Sequence, residues 1–131
     1  MAEKQFVNVY IMNDLNYTIA QCWVNHSTSD NLLQHEAWSA LNVAQGQDTR
    51  GDDWMLQLVP STTDYFTVFW MDDQQNIFGT SVNFEATCDI EDPPVPIEIQ
   101  LQGSGSKVEV LQGDPVESVG FVQYIWAPQS S

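Results

Sequence analysis

Positive charge is what this sequence has least of: Lys4, Arg50 and Lys107 stand against 18 carboxylates, for a formal charge of -15. A phosphate backbone would meet a repulsive field at long range, which excludes nucleic acid as a partner and disfavours anionic membrane surfaces. Neutral lipid headgroups and sugars carry no such penalty, and cations are attracted. Cysteine is nearly as scarce. Cys22 and Cys88 allow one disulfide at most, and in a reducing compartment both are expected as buried thiols. No apolar run approaches the roughly 18 residues of a membrane span, and Met1-Ala2-Glu3-Lys4-Gln5 has neither the basic cluster nor the apolar stretch of a signal peptide. The expectation is a cytoplasmic protein, or one released without a signal peptide, in which the acceptor patterns at Asn16 and Asn25 stay unglycosylated.

Catalytic signatures are missing as well. There is no Gly-rich phosphate loop, no His-Glu-x-x-His, no Cys-x-x-Cys and no serine placed on a strained turn beside a base, so no enzyme is expected. Asp72-Asp73-Gln74-Gln75-Asn76 has Ile77 where an EF-hand loop needs Gly and Asn83 where it needs a bidentate glutamate, and reads instead as a hairpin turn. Arg50-Gly51-Asp52 spells an adhesion tripeptide, but three residues recur by chance.

What is present is apolar material in strand-like order. Hydrophobic residues make up 43% and aromatics 11%, with five Trp, too much for a disordered acidic tail. A chain of 131 residues fits one domain over 1–131 with one core. Val7, Val9 and Ile11 alternate with Phe6, Asn8, Tyr10 and Met12, and after the turn residues Asn13-Asp14-Leu15-Asn16 a second run covers Tyr17 to Val24. The pair predicts a hairpin. Asn31 to Val43 reads two ways: Leu33, Ala37 and Leu41 have helical spacing, whereas Trp38 suits a strand. A further run from Trp54 through Leu56 and Leu58 closes at Pro60. Tyr65 to Met71, continuously aromatic and β-branched, predicts a strand in the middle of the core, buried on both faces. Val82 to Cys88 is a shorter strand, and the prolines of Asp89 to Pro96 mark a loop or sheet edge. Ile97, Ile99 and Leu101 join Val108 and Val110 through Gly103-Ser104-Gly105-Ser106 as a hairpin, and Phe121 to Trp126 supplies the last strand. Seven or eight short strands predict an all-β fold, an antiparallel β-sandwich.

One set of residues stands out as a ligand site. His26, Asp30, Glu36 and Asp53 accompany Trp38 and Trp54, and carboxylates and an imidazole beside flat aromatic surfaces are what sugar, choline or cation sites use. Trp38 or Trp54 would offer an apolar face to a sugar ring. Asp30 and Asp53 would accept hydroxyl hydrogen bonds, and His26 would orient one of them. Asp30, Asp53 and Glu36 would hold a divalent cation such as calcium if one bridges to the sugar. Core packing is the competing reading of the tryptophans. The expected function is a non-enzymatic, lectin-like carbohydrate-binding module using loops at one end of the sandwich. A lipid-binding protein anchored by Trp and Tyr, and a structural or stress-associated domain without a small ligand, are the alternatives. A homo-oligomer remains open.

Val24-Asn25-His26-Ser27-Thr28-Ser29-Asp30, His35-Glu36-Ala37-Trp38, Arg50-Gly51-Asp52-Asp53-Trp54 and Phe84-Glu85-Ala86-Thr87-Cys88 resemble, in order and spacing, the signposts of a domain family named for its elevated expression in long-lived nematodes with an insulin-receptor defect. The resemblance implies a β-sandwich, favours a strand around Trp38, and implies no activity. The sequence departs from that family at Thr28, at Met55 and in lacking a cysteine after Cys88, so neither a disulfide nor a ligand set carries over. In size, acidity and the hairpin at Gly103 to Ser106 the chain is also similar to aegerolysins, which implies lipid binding.

Overall fold

The computed structural model describes residues 4–29, 31–80, 84–86, 88–103, 107–112 and 116–126. Its strands are β1 (Gln5–Leu15), β2 (Ile19–Thr28), β3 (Asn31–Val43), β4 (Met55–Leu58), β5 (Asp64–Met71), β6 (Ile77–Thr80), β7 (Phe84–Ala86), β8 (Ile97–Gly103), β9 (Lys107–Gln112) and β10 (Val116–Trp126), with one 3-10 turn at Arg50–Asp52. They form two mostly antiparallel sheets packed as an all-β sandwich. The first sheet runs β3-β2-β5-β6, with β7 beside the start of β5, and the second runs β9-β8-β1-β4. β10 serves both, pairing with β9 through Phe121 and with β6 from Val122. β1 is parallel to β8, and its first residues pair antiparallel with β4.

Alternation at a period of two decides which side chains meet between the sheets. Val7, Val9 and Ile11 of β1, Cys22 and Val24 of β2, Phe66, Val68 and Trp70 of β5, Ile97, Ile99 and Leu101 of β8, and Val108 and Val110 of β9 are buried. Each large apolar side chain so removed from water contributes roughly 1.5–3 kcal/mol. Trp70 stacks on Phe78 with ring centroids 5.8 Å apart, and its indole N–H donates to the Tyr17 hydroxyl at 2.8 Å. Cys22 and Cys88 are both buried and are not joined by a disulfide. Burial pushes the Cys22 thiol up to about 12, which keeps it protonated and inert.

The predicted hairpin of the first two strands does not form. β1 pairs with β4 and β8, whereas β2 pairs with β3 and β5 in the other sheet. The polar residues between them make a crossover pinned by buried Asn13, whose Nδ2 donates to the carbonyls of Tyr17 and Val43 at 3.0 and 2.8 Å while its Oδ1 accepts the Leu15 N–H. Turn residues between two alternating runs do not distinguish a hairpin from an arch between sheets.

Tyr65 to Met71 is central in its sheet but not buried on both faces. Phe66, Val68 and Trp70 are fully buried, whereas Tyr65, Thr67, Phe69 and Met71 stay half-buried on the outer side. Asn31 to Val43 is a strand. The turn at Asp72 to Asn76 is closed by Asp72, whose Oδ1 accepts the N–H groups of Gln74 and Asn76. It leads into β6, which sequence reading did not anticipate.

Candidate functional site

Five of the six residues singled out from the sequence are described, and four of them come together facing inward. His26 pairs with Glu36 and Val24 with Trp38 across β2 and β3, on the face that carries Cys22 into the core. His26 is only 2% exposed. Its Nδ1 lies 2.8 Å from Glu36 Oε1 and its Nε2 lies 2.7 Å from Asp64 Oδ1. Ionised carboxylates only accept, so both ring nitrogens donate and the ring is an imidazolium. Burial, the largest influence, pulls its pKa down, but the hydrogen bonds to Asp64 and Glu36 and their charges outweigh it and hold the pKa above its ordinary value. Asp64 Oδ2 also accepts the Cys88 N–H at 3.1 Å, and both oxygens of Glu36 accept the Gln57 N–H at 3.2 Å. One imidazolium thereby ties β2, β3 and β5 together and, through its carboxylates, reaches β4 and the chain after β7.

Trp38 and Trp54 stack with centroids 6.1 Å apart and planes 13° from parallel. β3 ends the first sheet and β4 ends the second, so this stack and the Glu36–Gln57 bond close the seam between two sheet edges. Trp54 is 6% exposed, and its carbonyl accepts the Val9 N–H at 2.9 Å and Asn8 Nδ2 at 3.1 Å. Its ring is spent on Trp38 and the core; Trp38 itself is half-buried. Asp53 stands exposed at the left-handed end of the 3-10 turn, with φ 54°. Asp30 lies outside the described residues.

As a place for a divalent cation, Glu36 fits poorly, because its oxygens already receive the imidazolium and an amide, and the 2.7–2.8 Å contacts of His26 leave no room for an ion between. Among the described residues no group of three or more His, Cys, Asp or Glu is arranged to hold a metal.

Asp64 escaped sequence reading, where it looked like the end of a polar turn. A signal was there: Asp64 shares the inward phase of Phe66, Val68 and Trp70, and an acid in that phase requires a buried partner. The Arg50-Gly51-Asp52 tripeptide forms the 3-10 turn, and its arginine is engaged. The Arg50 guanidinium lies 4.3 Å above the Tyr10 ring and donates to the Tyr10 hydroxyl at 2.7 Å, which in turn donates to Glu98 Oε1 at 3.1 Å. A recess of about 240 Å³ opens nearby between the end of β3 and the loop carrying Asp48, Thr49 and Asp52. Its polar groups already hold that loop in place: Asp48 Oδ1 accepts the Arg50 N–H and Thr49 Oγ1 accepts the Ile11 N–H.

The aromatic surface offered to solvent lies elsewhere, on the outer face of the first sheet. Trp23 of β2 sits between Ser39 of β3 and Phe69 of β5, Asn25 between Ala37 and Thr67, and Gln21 between Leu41 and Met71. Tyr65 extends the row along β5, and Phe69 pairs with Gly79 of β6. The Phe69 ring lies over that glycine, where a Cβ would fall 2.1 Å from Phe69 Cδ1. Among the described side chains of β3, β2, β5 and β6, this face carries no charge; Glu85 of β7, opposite Tyr65, marks its end. Sequence reading had placed Tyr65 and Phe69 in the core.

Comparison with models of known protein families and with curated proteins finds no match.

Proposed function

We propose that the protein is a non-enzymatic carbohydrate-binding module whose binding surface is the outer face of the β3-β2-β5-β6 sheet. The observation that carries this reading is the register of that face, which sets Trp23 and Phe69 side by side among Gln21, Asn25 and Ser39 with no charged neighbour among the described side chains of those strands. A sugar ring has an apolar C–H face and a rim of hydroxyls. The first covers an indole or phenyl ring, and the second finds in primary amides both donors and acceptors. A β-sandwich is also what the resemblance to the nematode-named domain family implies.

A glycan array probed with the full chain in calcium and in chelator tests the reading. Binding should be weakened in Trp23→Ala and unchanged in Asp53→Ala. Loss in Asp53→Ala and in chelator would return the site to the loops and a bridging cation, and an array without any signal would remove the carbohydrate reading.

Lipid binding has one observation in its favour. Phe6 is 57% and Met55 45% exposed, and they sit diagonally across β1 and β4 on the outer face of the second sheet. Sedimentation with neutral vesicles that is lost in a Phe6→Ser, Met55→Ser double variant would support that function instead.

A further inference from the structure

Given the carbohydrate reading, on which this inference rests, we infer that the ligand is an extended, uncharged polysaccharide lying along β2 and β5, rather than a monosaccharide, a chain end or an acidic glycan.

Shape argues for an extended ligand. Among the described residues the site is a sheet face without an enclosing wall: on the β3 side Ala37 and Ser39 are small and exposed. Phe69 is held flat on Gly79, where any side chain would displace it. Trp23 and Phe69 form one stacking station as a cross-strand pair, and Tyr65 forms a second, four residues away along β5. Four residues of strand span about 14 Å. A single sugar ring can occupy one station but cannot reach both.

Charge argues for a neutral ligand. Uronate or sulfate groups require arginine or lysine for recognition, and the described side chains of this face supply neither. Arg50 is committed to Tyr10 on the second sheet. A body of formal charge -15 repels polyanions before contact, whereas a neutral polymer approaches without penalty. The same field opposes a second copy of this chain at this face. The polar side chains Gln21, Asn25 and Ser39 are of the kind that pair with hydroxyls.

Affinity electrophoresis of the full chain tests this, with native gels cast with neutral polymers (hydroxyethylcellulose, mixed-linkage glucan, galactomannan, xylan) or with acidic ones (polygalacturonate, heparin). The expected result is retardation in at least one neutral gel, none in the acidic gels, and little change with added sodium chloride. Trp23→Ala should weaken it about tenfold, the loss of one aromatic contact. Asn25→Ala, a surface change that leaves the core untouched, should weaken it less, and thermal melts of both variants establish that they are folded.

Several results would overturn the inference. Retardation by acidic polymers alone refutes the ligand class, and competition by free monosaccharide as strong as by polymer refutes the extended site, while each leaves the carbohydrate function standing. Undiminished binding in folded Trp23→Ala and Asn25→Ala refutes the face. Absence of binding in every gel removes the inference and the function together. Vesicle binding, or a dimer in sedimentation equilibrium, that Trp23→Ala abolishes would give the face to lipid or to a second copy.

Discussion

The two sheets treat an outward-facing aromatic in opposite ways. On the second sheet Tyr10 is buried: a guanidinium covers its ring, and its hydroxyl is shared between Arg50 and Glu98. On the first sheet Trp23, Tyr65 and Phe69 have only aromatic, amide, hydroxyl and aliphatic neighbours in the strands beside them, until Glu85 at one end. An aromatic residue on an outer face is therefore not a functional signal in itself. What distinguishes the two is whether charged groups have already saturated it. A second contrast separates the outer face from the interior beneath it, where His26, Glu36 and Asp64 hold concentrated charge one side-chain layer away from a surface whose described side chains on these strands carry none.

Breaking that buried cluster should have the largest effect. Asp64→Ala strands the imidazolium of His26 and the Cys88 N–H, and should cost about 3–5 kcal/mol of unfolding free energy in urea titration. The cluster also predicts a pH dependence. The folded pKa of His26 is raised above its ordinary 6.5, so its contribution is complete below that value and is lost as pH rises through the folded pKa. The urea midpoint should accordingly fall on the alkaline side, and His26→Gln should flatten that fall.

A smaller loss, about 1–3 kcal/mol, is expected for Gly79→Ala, because the new methyl collides with the Phe69 ring and forces it off the sheet. A change in near-ultraviolet circular dichroism together with weakened glycan retention would tie the flatness of that ring to binding; unchanged retention would separate them. The smallest effect belongs to Arg50→Ala. Arg50 is exposed, so its loss should leave the thermal midpoint nearly unchanged; burial raises the Tyr10 pKa and the Arg50 hydrogen bond and charge oppose that rise, so a spectrophotometric tyrosine titration should move to higher pH in the variant.

Strand phase was legible in the sequence wherever one side of a strand meets polar surroundings. Ile97, Ile99 and Leu101 alternate with Glu98, Gln100 and Gln102, and the first three are fully buried as that pattern predicts. Phase failed where both sides are apolar. Tyr65 to Met71 looked like a doubly buried strand because its outer residues are themselves aromatic, and that misreading hid the proposed binding face. Partnership was not legible: Leu33, Ala37 and Leu41 have helical spacing, and pairing of Glu36 and Trp38 with His26 and Val24 is what sets the strand. For the site, sequence reading put His26, Asp30, Glu36, Asp53, Trp38 and Trp54 in one set, and of these the fold brings His26 against Glu36 and Trp38 against Trp54. It read as ligand contacts what the geometry uses to join strands, since the inward phase of His26 follows only from its place beside Cys22 and Val24.

The bond from the Gln57 N–H to Glu36 has one more consequence. An outermost strand presents amide donors that a stray chain can dock against, the first step toward aggregation. At β4 one of those donors is occupied by a carboxylate from the opposite sheet, and the charge it brings is unwelcome to an incoming carbonyl row. A protein with half-buried aromatics on an outer sheet face can thus still protect the adjoining margin from its own unfolded neighbours.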